Sequence, residues 1–392
     1  MDRNPLLAEV RDPDAARVLD GPSHALARAT RPDFLGNPRS PVEWSAGDWS
    51  DLEAGRDDLL DLAAVEEQFD RGDFLLDGYA VFEGVVRPRA RERWQAALAR
   101  GQFLNDTLLR ADWSAIDWHG LGRRPPGERV SAAHLEKALG GSQKVPQGTD
   151  AAGVLTLRLH SVFAEYFPAG HLPFLAEILT HPDMLALQRL CLGSDTLFFD
   201  HNQLLSRPPG YAGGAWHSHR LGAGCDLGTV LPDEYDRQPN LLLTLCYLNG
   251  FDAGDDGGLK IIRGSHLFRD PEGCRAETDA EMARGWLDRR AHPVTGRPLE
   301  MEHLALPEGS VVCCLSHAAH GVAPKAAGRQ TRLCSLFCYR KPWTDGSAQP
   351  PWEVPPVWAV KARRGELPPV LTELLRPSFD RDLTRGKTRS DE

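Results

Sequence analysis

Between Ser194 and Arg340 the apolar residues fall in short runs, several of them alternating with period two, and Gly, Pro and Asp separate the runs. "TLFFDHNQLLS", "AWHSHRL", "NLLLTLCYLNG", "GGLKIIRGSH", "SVVCCLSHAAH" and "TRLCSLFCYR" are rich in β-branched and aromatic residues. This pattern predicts the strands of an antiparallel sandwich or barrel. Upstream the period changes. "DDLLDLAAVEEQFDRG" places Leu59, Leu60, Leu62, Val65 and Phe69 near one helical face with Gly72 as a stop, and "YAVFEGVV" then reads as a strand. "RPRARERWQAALARG", "SVFAEYF" and "LPFLAEILTHPDMLALQRL" are helical in pattern.

The expected organisation is therefore an extended N-terminal arm over 1–55, one domain over 56–345, and a Pro-rich tail with a short helix over 346–392. Within the domain, 56–193 reads as a helical layer and 194–340 as the β core, mainly β with flanking helices. The charged stretch 269–300 interrupts the strand rhythm and reads as an insertion or lid near one rim.

Composition narrows the function classes. A net charge of −10 argues against a nucleic-acid partner, which requires a basic excess. No apolar run approaches the roughly 20 residues that cross a bilayer, and the first 20 residues lack the apolar core of a signal peptide, so no membrane partner and a cytoplasmic location are expected. The eight cysteines lie mostly in apolar strand-like runs (Cys246, Cys313, Cys314, Cys334, Cys338) without zinc spacing, and read as small buried hydrophobes.

Candidate chemistry gathers in the β-rich half. In a strand, residues i and i+2 share a face, so His217 and His219 of "WHSH" can grip one metal ion, with a third ligand from "SVVCCLSHAAH", which holds His317 and His320. Trp216, Arg207 and Gln203 flank this pair and are candidate substrate contacts, although Trp216 reads better as a core aromatic. Tyr235 and Thr244 flank the next strand.

Four segments in order, "DGYAVFEGVVRPRARERWQAAL", "LLSRPPGYAGGAWHSH", "LNGFDAGDDGGLKIIRGSHLFRD" and "HGVAPKAAGRQTR", resemble the successive blocks of the phytanoyl-CoA dioxygenase family across about residues 68–340. The glycines of "GGLKIIRGSH" read as positions where neighbouring backbone approaches closely. The resemblance implies a double-stranded β-helix, a cupin-like jelly-roll. It also implies iron(II) as cofactor, 2-oxoglutarate and dioxygen as cosubstrates, and a small-molecule substrate that is hydroxylated. It makes His217 the first metal ligand, His320 the distal one with His317 as substitute, and Arg332 rather than Arg329 the anchor of the cosubstrate carboxylate, with Thr244 beside it. Arg suits that role because its planar fork matches a carboxylate.

One position departs from the family pattern, which carries Asp or Glu where this chain has His219. Three accounts follow: a three-histidine site, a two-ligand site completed by Asp226 or water, or loss of iron chemistry. The rival functions are an inactive jelly-roll binding protein and a cupin-like metal enzyme that does not use 2-oxoglutarate.

Overall fold

The strand-forming runs pair into two sheets whose order decides which faces are dry. The computed structural model describes residues 44–98, 156–157, 173–207, 209–210, 212–219, 228–238, 240–252, 256–270, 273–326, 331–343 and 356–380. Its strands are β1 (Tyr79–Phe82), β2 (Thr156–Leu157), β3 (Phe198–Arg207), β4 (Gly214–His217), β5 (Gly228–Thr229), β6 (Leu241–Tyr247) and β7 (Leu259–Ile262). After these come β8 (Phe268–Arg269), β9 (Arg275–Ala276), β10 (Met301–His303), β11 (Ser310–Leu315), β12 (His320–Val322) and β13 (Arg332–Arg340).

The larger sheet runs β1-β11-β6-β13-β3-β2 and the smaller β10-β7-β12-β4-β9, with β5 and β8 as a separate ribbon. Within both sheets the pairing is antiparallel. In chain order β3, β6, β11 and β13 belong to the large sheet, and β4, β7, β10 and β12 to the small one. That alternation is the double-stranded β-helix, a jelly-roll.

Three apolar layers follow from side-chain alternation. Leu243, Leu245, Ile261, Val312 and Leu336 fill the space between the sheets. The outer face of the large sheet, with Leu242, Cys246 and Phe337, packs under helices that supply Leu175, Met184 and Leu187. The outer face of the small sheet, with Trp216 and Ile262, is covered by Cys274, Met282 and Leu299 of the 269–300 stretch. Residues of that stretch thus cover the outer face of the small sheet. Asp279, at the start of its helix Asp279–Arg284, accepts from the Trp216 indole N–H and from Lys260 Nζ, each at 2.7 Å.

Other boundaries also shift. The arm expected over 1–55 ends in a helix, Ala46–Ala54, closed by a Ser45–Asp48 capping box. It is pinned by Trp49, 1% exposed, whose ring meets Trp44 and Trp358 edge-on at 4.9 and 6.0 Å. Residues 1–43 lie outside the described residues. The first predicted helix divides in two, Leu62–Glu67 and Arg71–Asp77, because Asp61 and Asp70 each cap a new start; Gly72 is helical and Gly78 is the stop. The described part of the tail holds two α-helices, Pro356–Arg363 and Pro369–Leu375, and Leu371, Leu374 and Leu375 sink into the core. "SVFAEYF" falls outside the described residues. The seven described cysteines are buried and form no disulfide with one another, as expected of small hydrophobes. No helix among the described residues is long and apolar enough to cross a membrane.

His266, at the end of "GGLKIIRGSH", is wholly buried and donates from Nε2 to the Leu75 carbonyl oxygen at 2.9 Å. Burial, reinforced by His317, His292 and Arg269 around it, lowers its pKa to about 3. The unfolded chain binds a proton there below about pH 6.5 while the native protein does not. Stability held by this group is therefore complete at neutral pH and lost as pH falls from about 6.5 toward 3, at up to about 1.4 kcal/mol per pH unit. Urea unfolding at pH 7 and pH 4.5 should show a smaller acid loss for His266→Gln than for the parent; equal losses would mean that His266 does not carry the acid sensitivity.

Candidate metal centre

β4 and β12 lie side by side with His217 opposite His320, and His320 is in turn opposite Ile261 of β7. Ile261 belongs to the layer between the sheets, whereas Trp216 and Ala319, each one residue earlier, belong to the outer cluster. Alternation therefore aims both imidazoles inward. Gly213 permits the close start of β4: its φ is +94°, and a Cβ there would stand 2.9 Å from the Val322 carbonyl oxygen.

β4 ends at His217, so the expected strand face does not extend to His219. His219 reaches the same place from irregular backbone, where its N–H donates to the Ser316 carbonyl at 3.0 Å. The ring centres of His217 and His320 are 4.3 Å apart, those of His219 and His320 5.4 Å, and those of His217 and His219 5.6 Å. One ring nitrogen from each lies within 4.8 Å of the others. His219 is thus turned toward the pair and not away from it; Asp226, the alternative, lies outside the described residues, as does Arg329.

Protonation suits a metal. His217 Nδ1 donates to the Ala215 carbonyl at 3.2 Å and His320 Nδ1 to that of Ala318 at 2.7 Å, which leaves each Nε2 with its lone pair. Burial, then the neighbouring imidazoles, pushes His219 well below its ordinary value, and burial lowers His217 and takes His320 to about 3. Three neutral imidazoles, each with a ring nitrogen within 4.8 Å of the others, make a borderline nitrogen donor set that fits iron(II) and other late divalent ions. His317 does not belong to it, because its Nδ1 faces the His219 carbonyl at 2.6 Å and its Nε2 that of Phe268 at 2.9 Å.

Arg332 begins β13 and faces inward with Cys334 and Leu336. It is 2% exposed, yet Nε, Nη1 and Nη2 have no hydrogen-bond partner among the described residues. Its Cζ lies 4.2 Å from the Phe251 ring centre and 5.8 Å from that of Tyr247. Asp256 is close enough to act on it but is paired with Lys325. Burying an unpaired guanidinium costs several kcal/mol, so a carboxylate arriving from solution meets a ready partner. Here the second glycine of the "GG" pair gains a specific reason: a Cβ on Gly258 would stand 2.1 Å from the Phe251 ring, the platform under Arg332. The crowding comes from a ring and not from neighbouring backbone.

Other expected residues divide. Arg207 lies opposite Arg332 and Gln203 opposite Leu336, so both face the interior. Trp216 does not; it is a core aromatic on the outer face, 1% exposed. Tyr235 packs edge-on against His266 at 4.9 Å, outside the barrel. Thr244 is a correction. It alternates with Leu243 and Leu245, points to the helical layer, and exchanges hydrogen bonds with Gln188 at 2.9 and 3.1 Å. Thr244→Val should therefore leave 2-oxoglutarate affinity unchanged, while urea unfolding shows a loss of about 1–3 kcal/mol from the unpaired Gln188 amide; weakened cosubstrate binding would restore the expected role.

Two neighbours of the site were not expected. Where β3 pairs with β13 the register slips between Cys338 and Tyr339, leaving Asp200 as an extra residue beside His201. Asp200 accepts from His201 Nδ1 and from Arg340 Nε, each at 2.6 Å, and both Asp200 and His201 act electrostatically on His219. The adjacent Asp-His in "FFDHNQLL" was the available signal, since two polar residues in succession break an alternating strand.

No family model matches the chain, and no curated protein matches it. The phytanoyl-CoA dioxygenase resemblance therefore rests on the four sequence blocks. Solved structures that resemble it include AviO1 from Streptomyces viridochromogenes Tue57, 19% identical with a TM-score of 0.40 over 73% of this chain and 97% of that one. HygX from Streptomyces hygroscopicus, with nickel and 2-oxoglutarate bound, is 16% identical with a TM-score of 0.41 over 72% and 90%. The non-heme α-ketoglutarate dependent carbocyclase SnoK from nogalamycin biosynthesis is 13% identical with a TM-score of 0.42 over 73% and 87%. Likeness of this size assigns no chemistry to this chain.

Proposed function

We propose that this protein is a non-heme iron(II) and 2-oxoglutarate dependent dioxygenase that hydroxylates a small organic molecule, with His217, His219 and His320 as metal ligands. The observation that carries the reading is the guanidinium of Arg332, without a hydrogen-bond partner among the described residues, in the same jelly-roll interior as three clustered neutral imidazoles. Three imidazoles alone would suit any late divalent ion, and a buried guanidinium alone would suit any small anion. Together they match a cosubstrate with a chelating end and a remote carboxylate.

Iron(II), when bound with 2-oxoglutarate and dioxygen, supplies the oxidising power for attack on an unactivated carbon. The chain supplies the rest. Nδ1–H bonds to Ala215 and Ala318 fix the tautomers of His217 and His320. Arg332 holds the remote carboxylate by charge-assisted hydrogen bonds that water cannot screen at 2% exposure. Leu243, Leu245 and Ile261 keep the interior dry. Gln203 and Arg207, facing the same interior, are the residues on which a substrate would settle. With histidine at 219 no negative charge comes from the ligand set, so the carboxylates of 2-oxoglutarate are what offset the ion.

Purified protein supplied with iron(II), ascorbate and 2-oxoglutarate under air should release succinate in an iron-dependent manner, even slowly without substrate. Binding of 2-oxoglutarate with no succinate under any substrate offered would favour a binding protein. Metal binding with no affinity for 2-oxoglutarate would favour a cupin-like enzyme of another kind.

A further inference from the structure

His219 occupies the position where the resembled family has a carboxylate, and nothing in its own strand holds it there, because β4 has already ended. What holds it comes from the short turn between β11 and β12. Ser316 accepts the His219 N–H at 3.0 Å, and the next residue, His317, reaches the His219 carbonyl oxygen with Nδ1 at 2.6 Å. The far edge of the same ring rests on the Phe268 carbonyl at 2.9 Å, and the residue is 3% exposed. Burial keeps this imidazole neutral, with a single N–H, and the shorter contact assigns that proton to Nδ1, which donates to the His219 carbonyl while the Phe268 carbonyl bounds the far edge of the ring.

The same turn also sets His320. Ala318 accepts from His320 Nδ1 at 2.7 Å, and the Ala319 N–H donates to Ser265 Oγ at 2.7 Å. Residues 316–320 thus fix the backbone of one cluster member and the ring orientation of another. A carboxylate on a short arm coordinates through either oxygen and tolerates small backbone errors. An imidazole presents one lone pair along one direction, so its backbone must be placed more narrowly.

From this placement we infer that His317 is a positioning residue: its hydrogen bond to the His219 carbonyl is what makes histidine workable as the second metal ligand. The inference rests on the three-histidine reading of the site and adds the residue that enforces it. His317 itself is not aimed at the cluster, since both ring nitrogens face backbone carbonyls.

Cobalt(II) is the probe, titrated into the full-length protein and read by its visible ligand-field spectrum, with thermal melting to confirm folding. His317→Leu keeps the bulk and removes the donor; it should lower cobalt affinity on the order of tenfold or more and alter the spectrum. His317→Gln keeps an N–H donor of similar reach and should restore affinity to near the parent value. Adding His317→Leu to His219→Ala should cost nothing beyond His219→Ala alone, because the effect passes through His219. If His317→Leu does not fold, His317→Asn, whose shorter amide falls short of the carbonyl, takes its place against His317→Gln.

Unchanged affinity and spectrum in the variant lacking the donor, or a loss that adds fully to that of His219→Ala, would overturn the positioning role while leaving the three-histidine site intact. Parent-like cobalt binding and spectrum in His219→Ala would instead sink the three-histidine reading itself, and the positioning role with it.

Discussion

His320→Ala is expected to abolish stoichiometric iron(II) binding while the protein still folds. His320 lies in the middle of the small sheet, between β4 and β7, and is 8% exposed. Truncation removes one of three converging nitrogens and leaves a space lined by His217 and His219, which water can fill because both offer polar partners. Structural zinc in four-ligand peptides is worth about 10–16 kcal/mol, or roughly 3 kcal/mol per ligand, so the loss should be on the order of a hundredfold in metal affinity or more. Equilibrium dialysis against iron(II) under anaerobic conditions measures it, with circular dichroism as the control for folding. His317→Ala in the same assay should retain more metal, because His317 is not a ligand. If the two variants ranked the other way, His317 would be the distal ligand and the β12 assignment would fall.

Arg332→Met is expected to have two effects of opposite sign. In the absence of cosubstrate the variant should be at least as stable as the parent, because a buried guanidinium without hydrogen-bond partners among the described residues is replaced by an apolar chain of comparable length. Its affinity for 2-oxoglutarate should fall at least about a hundredfold, since charge-assisted hydrogen bonds to a desolvated carboxylate contribute about 1.5–3 kcal/mol each and a guanidinium makes two. Thermal melting of the parent should therefore rise on adding 2-oxoglutarate with metal present, and that of the variant should not. Arg332→Lys should recover only part of the affinity, because an ammonium cannot form the paired bonds. A variant that melts lower without ligand and binds 2-oxoglutarate as the parent does would place the cosubstrate elsewhere.

The β core is legible in the sequence because its two faces differ along many strands. "TRLCSLFCYR" maps directly onto β13, and its inward residues Cys334, Leu336 and Cys338 follow the alternation. Thr244 escapes sequence reasoning for the converse reason. β6 is buried along its whole length, so "LLLTLCY" carries no polar face to say which residues point inward, and only pairing with β11 and β13 settles it. The spacing of His217 and His219 suggests one strand, but the strand stops between them; what brings His219 in is a turn about a hundred residues later, a relation invisible to local pattern. The apolar residues of the tail, Leu371, Leu374 and Leu375, have helical spacing that the surrounding prolines obscure. Trp49 is hidden in the same way by the polar composition around it, although Ser45 and Asp48 form a recognisable capping box.

What most needs testing is that metal and 2-oxoglutarate meet at one place in this barrel. Anaerobic protein should develop a visible charge-transfer absorption only when iron(II) and 2-oxoglutarate are both present. The band should be missing in His320→Ala and should require far more 2-oxoglutarate in Arg332→Met. A band of full intensity in His320→Ala, or none in the parent at saturating iron(II) and 2-oxoglutarate, would contradict the assignment of this site.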